Sequence, residues 1–295
     1  MARRSLLFTP GDRPEMLRKA PDAGADVIIF DLEDAVAPAR KDEARDAVRD
    51  VLADPEFDPD CEVCVRVNAS QSAYSDDLEA IFDESGGADR DGAADGLRLD
   101  SLVLPKVESA ADVRSLEDEL GRIGDTVPVF ALIENASGVL DAPEIAAVPA
   151  TDALVFGAED LSADIGASRT SEGTEVLYAR ERVVLAAAAK ECLAIDTVVT
   201  DFGDERALRD DTEFALQLGY DGKLAIHPAQ VDPINETFTP SDEEREWAER
   251  VLAAKREADA ENRGVFEVDG EMIDAPLIAQ ARRIQERADA ATGEK

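Results

Sequence analysis

Apolar positions along this chain follow two different spacings. Short runs are almost continuously apolar, and between them apolar residues recur every three or four positions, the period of a helix with one buried face. The runs are "SLLFTPG" from residue 5, "DVIIFDLED" from 26, "EVCVRVN" from 62, "SLVLPKV" from 101, "PVFALIEN" from 128, "ALVFGAED" from 153, "IDTVVTDF" from 195 and "GKLAIHP" from 222. Helix-period stretches such as "RPEMLRKAPDAG", "ARKDEARDAVRDVLAD", "AADVRSLEDELGRIG", "EVLYARERVVLAAAAKECL" and "ERALRDDTEFALQLG" fall between them. Strands without a polar face belong to parallel sheets covered on both sides. Eight of them alternating with helices predict an α/β chain folded as a (β/α)8 TIM barrel, assigned here to residues 1–235. A doubly wound sheet is the alternative, but the first turn lacks G-x-G-x-x-G and no P-loop occurs.

After residue 235 the pattern changes. "SDEEREWAERVLAAKREADA" opens with Ser241 and Glu244 at capping-box spacing and predicts a helix. "GVFEVDGEMIDAP" sets Asp269-Gly270 between two short alternating runs, a hairpin signal, and a final helix starts near Asp274. Residues 236–295 therefore read as a C-terminal helix-hairpin-helix extension that a barrel does not itself need and that suits packing on a neighbouring subunit. A second departure is "DESGGADRDGAADGLRLD", residues 83–100, expected to be an acidic surface loop before the fourth strand.

Charge sharpens the picture. Carboxylates outnumber cations by 67 to 31, for a net charge of -36. The acids are dispersed through helical stretches, which reads as a solvated surface, and their excess as halophilic adaptation: at about 1 M salt the Debye length shrinks to about 3 Å and self-repulsion is screened. No basic stripe with interleaved aromatics appears, which argues against nucleic acid as a partner. No apolar run reaches the roughly 20 residues of a membrane helix, and "MARRSLLFTPGDRP" breaks at Pro10-Gly11 before a signal-peptide core, so a cytoplasmic protein without membrane attachment is expected. Cys61 and Cys64 form a C-x-x-C without a second pair and read as packed thiols rather than a redox or zinc site.

In a barrel of this type chemistry collects where strands end. The residues there are polar: Thr9, Arg13, Asp31, Glu33, Asp34, Arg66, Asn68, Lys106, Glu134, Asp160, Asp201 and His227. Glu134 closes the fifth run and Asp160 the sixth, and adjacent strands lie about 4.8 Å apart, so both carboxylates reach one ion. Two carboxylates with open positions suit Mg2+, or Mn2+ in its stead; the other reading is a pair of structural acids capping loops or pairing with arginine. Arg66 either clamps a carboxylate and polarises a carbonyl oxygen, or forms a salt bridge with the acids of "DLED" on the neighbouring strand. His227, the only histidine, precedes Pro228 and suits a structural hydrogen bond at a turn. The absence of G-x-S-x-G and H-E-x-x-H weakens serine hydrolase and zincin readings.

Eight stretches together, "RSLLFTPGDRPEMLRKA", "DVIIFDLEDAVAPARKDEAR", "VRVN", "LPKVES", "ALIENASGV", "GAEDLSADIG", "GKLAIHPAQV" and "GVFEVDGEMIDAPLIAQAR", resemble the citrate lyase beta subunit-like acyl-CoA lyases. That family includes malyl-CoA, beta-methylmalyl-CoA and citramalyl-CoA lyases. The resemblance spans nearly the whole chain in order, apart from the acidic segment around residues 85–96. It implies a Mg2+-dependent barrel enzyme that makes or breaks a carbon-carbon bond beside a CoA thioester, with an acyl-CoA and a small 2-keto acid as its reactants. By position, Glu134 and Asp160 would hold the metal, and Arg66 would bind substrate oxygen and stabilise an enolate. The turn formed by Gly157, Ala158, Glu159 and Asp160 would meet the carboxylate of the small acid. Thr9, Arg13 and Lys19 fall in the CoA-facing first unit. The family's extension reaches across a subunit boundary, which implies a homotrimer or hexamer with shared sites in which Asp274 is the acid/base for the acetyl or propionyl carbon. Malyl-CoA thioester hydrolysis, and a citrate lyase beta subunit acting on an acyl-carrier-protein thioester, are the competing implications.

Overall fold

The structure, a computed structural model, describes residues 2–82, 97–260, 263 and 265–292. Most of the acidic excursion expected at residues 83–100, namely 83–96, thus lies outside the described residues. The chain divides into two compact units, one of Arg3–Ile234 and the other formed chiefly by the residues from Asn235 onward.

The first unit is a closed barrel of eight parallel strands in chain order. They are β1 (Ser5–Pro10), β2 (Val27–Asp31), β3 (Glu62–Arg66), β4 (Ser101–Leu104), β5 (Val129–Ile133), β6 (Thr151–Phe156), β7 (Leu193–Asp196) and β8 (Gly222–Ala225), with β8 closing on β1 at Ser5↔Lys223. Around them run α1 (Pro14–Lys19), α2 (Lys41–Leu52), α3 (Gln71–Phe82), α4 (Ala110–Arg122), α5 (Ala136–Ala146), α6 (Ala158–Asp164), α7 (Leu177–Ala188) and α8 (Glu205–Leu218), followed by α9 (Val231–Phe238). The inward-facing positions of the strands, among them Leu6, Ile29, Cys64, Phe130, Val155 and Ile195, interlock as one apolar core. The barrel is therefore packed and not a pore, and polar atoms gather only at its ends.

Two buried charge networks tie strands to their surroundings. Arg3 donates to Glu62 at 2.6 Å, pairs with Asp152, and lies 4.7 Å from the Phe130 ring centroid. Around β7 and β8, Lys223 reaches Asp196 at 2.5 Å and Asp211 at 2.6 Å, and Arg180 on α7 forks onto Asp196 at 2.8 and 2.7 Å. Lys223 and Asp196 are fully buried, so their charges persist only because two cations face two carboxylates.

The second unit contains α10 (Asp242–Ala260), a two-stranded hairpin of β9 (Phe266–Val268) and β10 (Glu271–Ile273), and α11 (Ala275–Thr292). Ser241 and Glu244 form the expected capping box, with Ser241 N–H donating to Glu244 at 2.8 Å. Asp269 and Gly270 both have positive φ, 54° and 85°, as a two-residue type I′ turn requires. Val251, Ile273, Ala281 and Ile284 are among the residues of this unit's own apolar core. Among the described residues no helix is long and apolar enough to cross a membrane.

Candidate active site

Eight of the expected residues, Asp31, Asp34, Arg66, Glu134, Gly157, Ala158, Glu159 and Asp160, line one cavity at the C-terminal ends of the barrel strands. Its volume is about 280 Å3, and Phe8, Pro10, Leu132, Leu224 and Ile226 supply apolar wall.

Glu134 follows the last residue of β5 and is only 5% exposed. Its Oε1 accepts the N–H of Lys106 at 2.8 Å. Lys106 has a left-handed backbone, φ 54°, uncommon for a residue with a side chain and typical of sites where the fold over-determines it. Opposite, Gly157 leaves the space the carboxylate needs. A Cβ there would stand 2.6 Å from Glu134 Cβ and 2.9 Å from its Oε2.

Burial pushes the Glu134 carboxyl up to about 8, with the charges of Asp160 and Glu33 adding to the rise and the Lys106 N–H opposing it. A buried carboxyl raised this far beside a second carboxylate suits a cation that restores the balance of charge. Among the described residues no cluster of three or more metal-binding side chains occurs, and the candidate donors on this cavity are the two carboxylates of Glu134 and Asp160. That set fits Mg2+, which binds one or two carboxylates and keeps its other positions for water and ligand oxygens.

Arg66, the last residue of β3, makes the salt bridge expected with the acids of "DLED" and also borders the cavity. Its Nε and Nη2 donate to Asp31 Oδ1 and Oδ2 at 2.7 and 2.6 Å, and its Nη1 stands 3.1 Å from Glu33 Oε2. The guanidinium also covers the Phe8 ring at 4.6 Å and borders the cavity. Burial works against its charge, but Asp31, Glu33 and Glu134 outweigh that and hold its pKa above the usual arginine value. Asp31 is itself fixed, accepting the N–H groups of Glu33 at 2.8 Å and Ala35 at 3.0 Å. Burial raises Glu33 as well, against the charges of Arg66 and Lys106; the Lys106 ammonium contacts Glu33 directly and stands 3.5 Å from Asp34.

Two strand ends differ from expectation. Asp160 does not close β6, which ends at Phe156; it is the third residue of α6, where acidic side chains suit the positive end of the helix. Asp201 does not close β7 either, because that strand stops at Asp196 and Asp201 sits in an exposed loop with its carboxylate on Gly203 N–H at 3.0 Å. The turn amides are partly engaged: Gly157 N–H donates to Ile133 O at 3.0 Å and Ala158 N–H to Thr197 Oγ1 at 3.0 Å. The Glu159 side chain accepts from Arg169 at 2.8 Å.

Other expected residues lie away from the cavity lining. Strand alternation turns Phe8 inward and Thr9 toward the helical layer, where it is buried. Arg13 precedes α1 with a largely exposed side chain 3.5 Å from Asp12, and Lys19 ends that helix. Asn68 is bound to buried Asp77, which also accepts from Arg45 at 2.8 Å. His227 Nδ1 accepts the Ala229 N–H at 3.1 Å and its ring stacks on Phe202, centroids 4.6 Å apart. Cys64 packs in the barrel core and Cys61 is half-buried, both as free thiols. Asp274, in the second unit, accepts the Leu277 N–H at 3.3 Å and so caps α11. Sequence reasoning missed Thr197 and Val198 on the cavity wall, because the β-branched run "TVVT" looks like mid-strand.

Comparison with known proteins finds the family described as HpcH/HpaI aldolase/citrate lyase over residues 4–228. The chain is 39% identical to a citrate lyase subunit beta-like protein of Deinococcus radiodurans, covering 95% of each. It is 37% identical to the (3S)-malyl-CoA thioesterase of Cereibacter sphaeroides, covering 97% of this chain and 95% of that one. To the mitochondrial citramalyl-CoA lyase of Mus musculus it is 34% identical, covering 96% and 85%. Among solved structures it is similar to CitE from Mycobacterium tuberculosis in complex with magnesium, acetoacetate and coenzyme A, with TM-score 0.78, 38% identity, and 97% and 98% of the two chains covered.

Proposed function

Because the chain belongs to the HpcH/HpaI aldolase/citrate lyase family, we propose that it is a Mg2+-dependent carbon-carbon lyase of 3-hydroxydicarboxylyl-CoA thioesters such as malyl-CoA, beta-methylmalyl-CoA or citramalyl-CoA. Its products are a 2-keto acid and acetyl-CoA or propionyl-CoA, and the reverse condensation uses the same groups. The observation that carries this reading is the convergence of Glu134, Asp160 and Arg66 on one cavity. Glu134 and Asp160 are the residues that would hold Mg2+, or Mn2+ in its place. When bound, that ion supplies positive charge to the oxygens of the keto acid.

The chain's own groups have distinct tasks. Cleavage passes the proton of the substrate's 3-hydroxyl to a carboxylate of the cavity or to solvent, the C–O bond gains carbonyl character, and the electrons of the breaking C–C bond pass to the thioester as an enolate. Arg66, aligned by its two bonds to Asp31, offers fixed positive charge at the cavity wall to a developing oxyanion. Asp274 of a neighbouring subunit protonates the enolate carbon, which requires a homo-oligomer, as a trimer or hexamer would supply. Thr9, Arg13 and Lys19 serve the CoA moiety in the first βα unit.

A second reading, hydrolysis of the malyl-CoA thioester, draws support from the 37% identity to a (3S)-malyl-CoA thioesterase. Purified protein with malyl-CoA and Mg2+ in molar KCl separates the two. Glyoxylate and acetyl-CoA that disappear in Glu134→Ala and Asp160→Ala establish the lyase. Free malate and CoA without glyoxylate establish the hydrolase and remove the enolate role from Asp274. No turnover of any CoA thioester, with turnover of an acyl-carrier-protein thioester, would make the chain a citrate lyase beta subunit.

A further inference from the structure

One buried hydroxyl on the cavity wall has no task in the chemistry above. Thr197 directly follows the last residue of β7, is only 4% exposed, and lines the cavity together with Arg66, Glu134 and Asp160. Its Oγ1 accepts the Ala158 N–H at 3.0 Å. A threonine hydroxyl also has one proton to give, and among the described residues none accepts it from Thr197. Several other buried hydroxyls in the barrel do have an acceptor: Thr151 donates to Ile145 O at 2.8 Å, Ser162 to Ala158 O at 2.7 Å, Thr212 to Leu208 O at 2.6 Å and Ser101 to Glu62 Oε1 at 2.6 Å; Thr9, equally buried but off the cavity lining, has none among the described residues.

The surroundings indicate what would take that proton. The polar lining is dominated by acceptors, with Asp31, Asp34, Glu134, Glu159 and Asp160 all carboxylates. A small 2-keto acid likewise brings only acceptor oxygens, so the cavity needs donors aimed at it. Arg66 is one, and the Thr197 hydroxyl is another with its acceptor side already engaged. A hydroxyl that accepts from an amide is polarised to donate more strongly. The Ala158 amide belongs to the first turn of α6, two residues before Asp160, so one oxygen ties the strand β7 side of the cavity to the turn carrying that carboxylate.

We propose that Thr197 is a substrate-contacting residue, holding the Ala158 amide with its lone pair and donating its proton to a carboxylate or carbonyl oxygen of the keto acid. This rests on the keto-acid reading of the cavity given above.

The test uses the full chain loaded with Mn2+ and titrated with pyruvate by calorimetry, comparing wild type, Thr197→Val and Thr197→Ser. Removing a hydrogen bond to a charged ligand costs about ten- to hundredfold in affinity. Pyruvate affinity is expected to fall by that factor in Thr197→Val and to return to within about threefold in Thr197→Ser. Thr197→Val also takes the acceptor from the Ala158 amide and should lower the thermal midpoint, whereas Mn2+ affinity without pyruvate should stay close to wild type, which a role confined to holding the Asp160 turn would not allow. Should Thr197→Val fail to fold, Thr197→Cys keeps the size with a weak donor and gives the same readout. Equal pyruvate affinity in wild type and Thr197→Val, or loss only in step with Mn2+ affinity, overturns the assignment to Thr197 alone. A Mn2+-loaded wild type that binds neither pyruvate nor glyoxylate overturns the keto-acid reading itself, and Thr197 with it.

Discussion

The metal role proposed for Glu134 makes metal binding a proton-exchange reaction. With its carboxyl at about 8 in the metal-free protein, about nine molecules in ten carry this proton at pH 7 and about ninety-nine in a hundred at pH 6. A divalent cation must expel it, so the apparent affinity follows the deprotonated fraction. That fraction rises about fiftyfold between pH 6 and pH 8 and only about twofold from pH 8 to pH 9. Titrating Mg2+ or Mn2+ calorimetrically in molar KCl over this range should reproduce the curve. At pH 7, two buffers of different ionisation enthalpy should report release of about 0.9 proton per metal. The same group acts on stability with the opposite sign to an ordinary paired carboxylate. Its folded-state value lies above the usual 4.5, so its contribution to the metal-free fold is fully present below that pH and is lost as pH rises through about 8. The thermal midpoint should therefore decline with pH in metal-free protein and hold steadier in metal-loaded protein. Glu134→Gln should bind metal weakly and without the pH curve. Affinity that is flat from pH 6 to pH 9, with no proton release at pH 7, would refute the reasoning.

Three further outcomes follow from particular contacts. Gly157→Ala drives a methyl to within 2.6 Å of Glu134 Cβ, and Mn2+ affinity should drop at least about tenfold while the barrel stays folded; unchanged affinity would mean the carboxylate has room to spare. Lys223→Met leaves fully buried Asp196 with Arg180 as its remaining cation, and unfolding by urea in molar KCl should register a loss of about 3–5 kcal/mol, a change under about 1 kcal/mol contradicting the importance of the pair. Turnover, thermal midpoint and oligomer integrity should all rise with KCl, because a net charge of -36 repels both itself and anionic CoA in dilute buffer; decline above physiological salt would overturn the halophilic reading of the surface.

Local chemistry alone determined much of this protein. Eight apolar runs separated by helix-period stretches specify a parallel barrel because each strand must be buried on both faces, a requirement written residue by residue. The capping box at Ser241 and the Asp-Gly turn at 269–270 are likewise short-range and visible before any folding. Glu134 and Arg66 stood out because each interrupts or ends an apolar strand with a charge that burial would otherwise penalise.

Where strands stop was decided elsewhere. "TVVT" after Asp196 has the β-branched composition of a strand, yet pairing of β7 with β8 runs only through Ile195↔Gly222 and Asp196↔Lys223, and a strand without a partner does not continue. Asp160 for the same reason sits on a helix, since Gly157 ends the pairing and its missing side chain admits Glu134. The pairing of Arg66 with Asp31, the left-handed Lys106 and the hydroxyl of Thr197 against the Ala158 amide join residues 28 to 39 positions apart in sequence. Periodicity reports which side of an element a residue faces; closing the barrel decides which residues of other elements it meets there.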